Sequence, residues 1–375
     1  MEKRWYYILA IGFSYIVAIF GGAFASGREI MQFFGQFGSP GFWGIILALV
    51  LFAYFAVVSL ITACNWKTFD YKSYVTRLYR EFMPEKVATR VYWAFEISYL
   101  FLCILILGII TAALAQMFVS EIGISYGLAI TIVAGIILLV VTFGADIILA
   151  FNFTITWLLL LAMVIVLAIV FRPIAGQSWS VITSSVGPGG GGWAVSSVLY
   201  VSYNLMGVVM ITSLAEPIKD RFSASTAGLV GGIGIGLLIL FEFLVCMAFY
   251  PQITKEALPL WFVSSKTGSS LVRFAYDFIL TGAILTTGIG VTYPPVKRFM
   301  PLLLRKFGTQ RRRTIRFLLT LIMILIGLGL STFGLIPLVA KGFTTMGWVF
   351  TVVFLIPLAI FASKVAWTEK IQQYK

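Results

Sequence analysis

Charge is what this chain has least of: 11% of its 375 residues are Asp, Glu, Lys or Arg, against roughly 25% in soluble globular domains. A soluble fold of this length could not cover its surface with so few charges. Histidine is absent altogether, which excludes an imidazole proton relay, a His-ligated metal site and a Ser/His/Asp triad. Without a His cluster or paired catalytic carboxylates, the chain does not read as an enzyme. The three cysteines, Cys64, Cys103 and Cys246, lie far apart in or beside apolar segments with no Cys-x-x-Cys spacing, so neither a disulfide framework nor a thiolate metal site is indicated. Acids are scarcer than bases, 14 against 27, for a net +13. In a soluble protein that excess would suggest nucleic acid, whereas a membrane protein accumulates cations in the loops of one side.

What the chain has in abundance is apolar sequence, 60% of all residues. A bilayer-crossing helix needs about 20 mostly apolar residues. Ten stretches qualify: 6–34, 40–64, 91–119, 124–143, 147–171, 193–215, 226–250, 270–296, 315–333 and 344–363, numbered here spans 1 to 10. Span 1 runs far past the 7–15 residues, roughly, of a signal-peptide core and is followed at once by another span, so it is not read as a cleaved leader. Connectors are mostly short, and the expectation is one polytopic domain with no soluble appendage. Ten crossings put both termini on one side, and 21 of the 27 bases fall there, including six between spans 2 and 3 and eight between spans 8 and 9. By the positive-inside rule the termini are cytoplasmic and the location is the cell membrane. The loop cations are therefore read as topogenic and lipid-contacting, not as a nucleic-acid surface, and no obligate protein partner is evident. Between spans 2 and 3, Tyr71, Val75, Leu78 and Phe82 recur at helical spacing among bases, as in a helix lying on the inner leaflet.

The segment 173–192, with PIAGQ and then GPGGGG, reads as an outer connector dividing the chain into 1–172 and 193–365. Each part holds five spans. Because five is odd, a second unit resembling the first enters the membrane from the opposite face, the inverted-repeat plan of many secondary transporters.

Two spans carry signs of interruption. Span 1 reads Gly21-Gly22-Ala23-Phe24-Ala25-Ser26-Gly27-Arg28-Glu29 at mid-depth, where three glycines weaken the helix and two charges follow. Irregular backbone at that depth needs protein or a water-filled cavity to satisfy it. Span 6 offers Ser202-Tyr203-Asn204-Leu205-Met206-Gly207 as counterpart. Paired interrupted helices in two halves point to a central site, so Gly22, Ala23, Ala25, Ser26, Gly27, Glu29, Ser202, Tyr203, Asn204 and Gly207 are the candidate solute contacts. In span 8, Ala283, Thr286 and Thr287 share a helical face, and a carbonyl with two hydroxyls offers hard, neutral oxygens suited to Na+. The alternative is that both threonines bond back to their own backbone.

The run GGAFASGREI, followed by FFGQFG, resembles the YkvI-type amino acid permeases of the amino acid/polyamine/organocation superfamily, and the ten-span layout fits nearly the whole chain. The resemblance implies an all-α membrane protein with the LeuT-like fold of two inverted five-helix repeats, helices 1 and 6 being unwound around the solute. It also implies a Na+ site between the helix 1 break and helix 8, with carbonyls of Gly21 and Phe24 joining Ala283, Thr286 and Thr287. Proton-coupled relatives often place a Lys from helix 5 there, and 147–171 holds no Lys or Arg. The function so implied is Na+-coupled symport of a small amino acid or related amine by alternating access. A proton-coupled transporter and a non-transporting solute sensor are the alternatives.

Charges inside spans need a partner or a cavity, since each costs about 2.5 kcal/mol or more at a helix centre on insertion scales. Glu29 is the candidate for a cationic group on the solute, and Arg28 for a carboxylate. Asp277 either pairs with Arg273 on its own helix or meets Arg28 to close the outer vestibule. Glu242 has no base at helical spacing; binding an amine, neutralising a cation site and carrying a proton all fit it. Arg28, Asp277 and Glu242 are therefore the gating and coupling candidates.

Overall fold

The computed structural model describes residues 2–143, 145–266 and 269–368, and every regular element among them is helical. Among the described residues, eight helices are long and apolar enough to cross a bilayer. The remaining two expected crossings are span 1, whose apolar helix Arg4–Ile19 is followed by the short helices Gly22–Ala25 and Arg28–Phe33, and span 4, Tyr126–Phe143. Spans 2, 3, 5, 7, 8 and 9 are Pro40–Trp66, Glu85–Ile122, Ala145–Thr183, Arg221–Met247, Ser270–Phe307 and Arg312–Ser331. Span 6 is Gly192–Asn204 with Met206–Thr212, and span 10 is Leu335–Trp367.

Several helices outrun their apolar cores. At 1.5 Å per residue, the 38 residues of span 3 or span 8 reach about 57 Å, well beyond a hydrocarbon layer of about 30 Å. Hydropathy locates the apolar core, but backbone hydrogen bonding continues past it into the interface. The same effect corrects the connector expected at 173–192: span 5 stays helical to Thr183 with Pro173 inside it, and only residues 184–191 join the two halves.

Close-approach glycines sort the spans into two bodies. On span 7, Gly228, Gly232 and Gly236 recur every four residues, and a Cβ on them would strike Val57, Ala53 and Leu49 of span 2. This is the small-residue stripe that lets two membrane helices pack backbone to backbone. Gly231 and Gly234 of span 7 meet Tyr15 and Ile16 of span 1, while Gly207 of span 6 meets Ile19, Tyr15 and Ala18. Spans 1, 2, 6 and 7 thus form one bundle. Spans 3, 4, 8 and 9 pack on one another as a second body, with Gly108 of span 3 against Gly327 and Leu330 of span 9. The face on which span 1 begins, which carries most of the bases, is called below the base-rich face, and the other the opposite face.

The helix expected between spans 2 and 3 forms as Tyr71–Arg80, capped by Asp70, whose side chain accepts from the Ser73 N–H. Its apolar side does not lie against lipid. Tyr74, Val75, Leu78 and Tyr79 are buried in protein: the Tyr74 hydroxyl bonds Thr62 of span 2, and the Tyr79 hydroxyl donates to the Val353 carbonyl of span 10.

Candidate solute and ion site

Span 1 breaks where its glycines predict. The helix ends at Ile19, Gly21 is extended (φ −138°, ψ 178°), one turn Gly22–Ala25 follows, and Gly27 takes the left-handed conformation (φ 75°) before helix resumes at Arg28. A side chain at Gly27 would be strained and would also meet Leu260. Arg28 to Phe33 then continues to the opposite face.

The broken turn is stitched to span 8. The Gly22 N–H donates to Thr287 Oγ1 at 3.0 Å, and the Tyr276 hydroxyl donates to the Ala25 carbonyl at 2.8 Å. Thr287 in turn donates to the Ala283 carbonyl at 2.6 Å, and Thr286 bonds the carbonyls of Gly282 and Ala283 at 3.0 and 3.1 Å. Both threonines therefore bond back to their own helix, and Thr287 also faces the span 1 break. The Gly21 carbonyl accepts from Ala25 N–H and the Phe24 carbonyl from Gly27 N–H, each at 2.8 Å, leaving each oxygen a second lone pair. Gly21, Gly22 and Thr287 thus meet at one junction, with Phe24 on the same turn as Gly22 and Thr286 sharing the Ala283 carbonyl with Thr287.

The expected solute contacts divide. Ser26 is spent internally: its hydroxyl donates to the Ala23 carbonyl (2.7 Å) and accepts from the Arg28 N–H (3.2 Å), and its carbonyl accepts from Leu260 N–H at 3.3 Å. Gly207 packs on span 1. Span 6 is interrupted for one residue, Leu205, much more mildly than span 1. The Asn204 amide donates to the Tyr200 carbonyl (3.0 Å), and the Ser202 hydroxyl meets Thr351 of span 10 at 2.7 Å. Tyr203 donates to Glu29 Oε2 at 2.9 Å and stacks on Phe343 of span 10, centroids 4.6 Å apart. Both Thr351 and Phe343 sit on wide i→i+5 turns of span 10, a helix irregularity frequent at functional sites.

Arg28 and Asp277 do not pair. The Arg28 guanidinium donates to the carbonyls of Thr254 and Glu256 (2.7 and 3.1 Å) and to Gln32 Oε1 (3.0 Å). It pins the loop after span 7 across the opposite face, while its Nε has no partner. Arg273 does not meet Asp277 either. It bonds Glu121 of span 3 at 2.8 Å, and Glu121 also accepts from the Trp261 indole at 2.9 Å. Carbonyl acceptors and cross-span partners carry no local sequence signal: helical spacing suggested Asp277 for Arg273, and closure of the outer vestibule suggested it for Arg28. Glu242 is 2% exposed with Oε2 unpartnered.

Sequence reasoning assigned no role to Tyr276, Leu260, Tyr200, Phe343 or Thr351. It also left Glu96 without a partner. On the base-rich side, Glu96 of span 3 accepts from Tyr71 through both oxygens at 3.0 Å and from Tyr92 at 3.2 Å, and pairs with Arg298 of span 8 at 3.1 Å. An aromatic run of tyrosines around a span-embedded acid was the signal available for this cluster.

No family model matches the chain. It is similar to the uncharacterised membrane protein YkvI of Bacillus subtilis (strain 168), at 26% identity over 295 residues, covering 78% of this chain and 81% of that protein. Among solved structures it is similar to Mhp1 in an inward-facing conformation, with TM-score 0.58 and 14% identity over 96% of this chain and 74% of that one. A closed Mhp1, described as a nucleobase-cation-symport-1 family transporter with bromovinylhydantoin bound, gives TM-score 0.54 and 15% identity over 93% and 78%. These neighbours are transporters, not enzymes. The chain is a multi-pass membrane protein with the LeuT-type transporter fold.

Proposed function

We propose that this protein is a secondary active transporter that moves a small amino acid or related amine by alternating access, with Na+ as coupling ion. The observation that carries the reading is the junction of the span 1 break with span 8. There the Gly21, Phe24 and Ala283 carbonyls and the Thr286 and Thr287 hydroxyls supply a set of hard, neutral oxygens, the chemistry an alkali cation prefers. A cation at this junction bridges the two bodies, because span 1 belongs to one and span 8 to the other. Binding there biases their relative position and hence the solute's affinity, and by linkage the solute biases the ion's. The solute contacts on this reading come from the turn Gly22–Ala25 and from Asn204 of span 6. The base-rich face is taken as cytoplasmic on the positive-inside rule, with the cell membrane as the location.

The test is a thermal-shift screen of amino acids and amines with Na+ or with K+, followed by counterflow in proteoliposomes. Stabilisation by a solute is expected to be larger in Na+, and Thr287→Ala is expected to abolish that difference. Thr292→Ala removes a comparable back-bonded hydroxyl, 2.6 Å from the Gly288 carbonyl, and is expected to keep it. An unchanged Na+ dependence in Thr287→Ala would sink the ion assignment; absence of exchange for a solute that binds would sink the transporter reading.

A further inference from the structure

Polar groups that the ion junction does not use gather between the half-helix Arg28–Phe33 and spans 6 and 7. Glu29 is 5% exposed and held by the Tyr203 hydroxyl at 2.9 Å. Glu242 of span 7 is buried with its Oε2 unpartnered, and the half-helix that carries Glu29 packs against span 7. Tyr200 of span 6 is fully buried against Phe33 of the half-helix and Tyr203, ring centroids 5.3 and 5.7 Å away, and its hydroxyl has no partner. The other ionisable groups facing the pair are Tyr276 of span 8 and Cys246 of span 7. Span 2, packed along span 7, contains no Asp, Glu, Lys or Arg. Arg28 turns its guanidinium to Thr254, Glu256 and Gln32, and among the described residues no ion pair joins Glu29 or Glu242 to a base. Among the described residues, then, two carboxyls share a buried site with no base to balance them.

Two bare carboxylates cannot persist side by side away from water, and one proton removes one of the charges. We propose that Glu29 and Glu242 form a proton-binding site that holds a single proton. Tyr203, as donor, fixes Glu29 as the ionised acceptor. The proton resides on Glu242, whose Oε2 receives no donor, with the free Tyr200 hydroxyl beside both. Glu29 rides on the half-helix that Arg28 and Ser26 tie to residues 254–260. Movement of that half-helix separates the carboxyls, admits water to each and releases the proton. As a coupling device this rests on the transporter reading; the site itself does not.

The test is infrared spectroscopy of the purified full chain in liposomes at neutral pH, without solute, reading the carbonyl stretch of protonated carboxyls. One such band is expected in the unmodified protein, lost in Glu242→Gln, retained in Glu29→Gln, and unaffected by exchanging Na+ for K+. Tyr203→Phe removes no carboxyl; it is expected to shift the band without abolishing it, and it stands in if Glu242→Gln does not fold. A band absent from the start, separate bands lost in each Gln variant, a band that vanishes in Na+, or one that Tyr203→Phe leaves in place overturns the proposal. Because no transport is measured, its failure is distinct from failure of the transporter reading.

Discussion

Replacing Arg298 by alanine tests whether the buried Glu96 cluster holds the base-rich side of the molecule shut. The Glu96 side chain is 3% exposed and that of Arg298 is 34% exposed. Stripping one partner from a fully buried ion pair costs about 3–5 kcal/mol. Here a third of the guanidinium already faces solvent, and the hydroxyls of Tyr71 and Tyr92 remain, so the expected cost is about 2 kcal/mol. That corresponds to a roughly thirtyfold rise in the population with the helix Tyr71–Arg80 lifted from span 3. Cys103 reports it: the thiol is buried two turns along span 3 from Glu96, and Tyr99 between them lies 6.3 Å, ring to ring, from Tyr71. In Arg298→Ala, alkylation of Cys103 by N-ethylmaleimide, located by peptide mass spectrometry, is expected to accelerate by that factor. Adding Glu96→Gln removes the stranded charge and is expected to bring the rate back toward that of the unmodified protein, a non-additive cycle. Labelling of Arg298→Ala at the unmodified rate, or of the double variant as fast as the single, refutes the reasoning.

Two further outcomes follow from packing and capping. Gly232→Ala drives a methyl into the Ala53 backbone of span 2 and is expected to cost about 1–3 kcal/mol. Gly290→Ala meets nothing within 4 Å and is expected to gain up to about 1 kcal/mol from helix propensity; thermal unfolding in detergent compares the two, and equal effects would refute the close approach. Asp220 caps span 7: burial opposes its ionisation, but the Ser223 N–H and hydroxyl and Arg4 together hold it below its ordinary 3.8. A depressed carboxyl stabilises fully above its unfolded value and loses that contribution as pH falls through the folded one. The stability gap between the unmodified protein and Asp220→Ala should therefore be constant above about pH 5 and close on acidification below about pH 4; a gap that widens in acid would contradict it.

Much of the architecture was legible without coordinates because a bilayer leaves so few options. Only helices satisfy their own backbone in hydrocarbon, so apolar runs of sufficient length mark spans. The break in span 1 was legible for a related reason, since glycines weaken a helix and Gly27 takes a left-handed conformation that other residues adopt less readily. Gly207 was misread: small size signals either a break or a close approach, and only the facing Tyr15 and Ala18 show which. The span 8 threonines were read either as cation ligands or as bonding back to their own helix; they do bond back, to Gly282 and Ala283, while the meeting of Thr287 with Gly22 depends on how two distant segments dock.

The sequence by itself determined that this is a polytopic membrane protein, which face carries its bases, and where span 1 fails as a helix, because these follow from local hydropathy, charge and glycine content. Tertiary structure alone decided the partners of its few intramembrane charges. Arg28 reaches carbonyls more than two hundred residues away, Arg273 turns from Asp277 to Glu121, and Glu29 accepts from Tyr203 of span 6. The physical reason is that a buried charge is satisfied by whatever donor or acceptor the packing brings within about 3 Å, and no periodicity along one helix specifies what stands on the next.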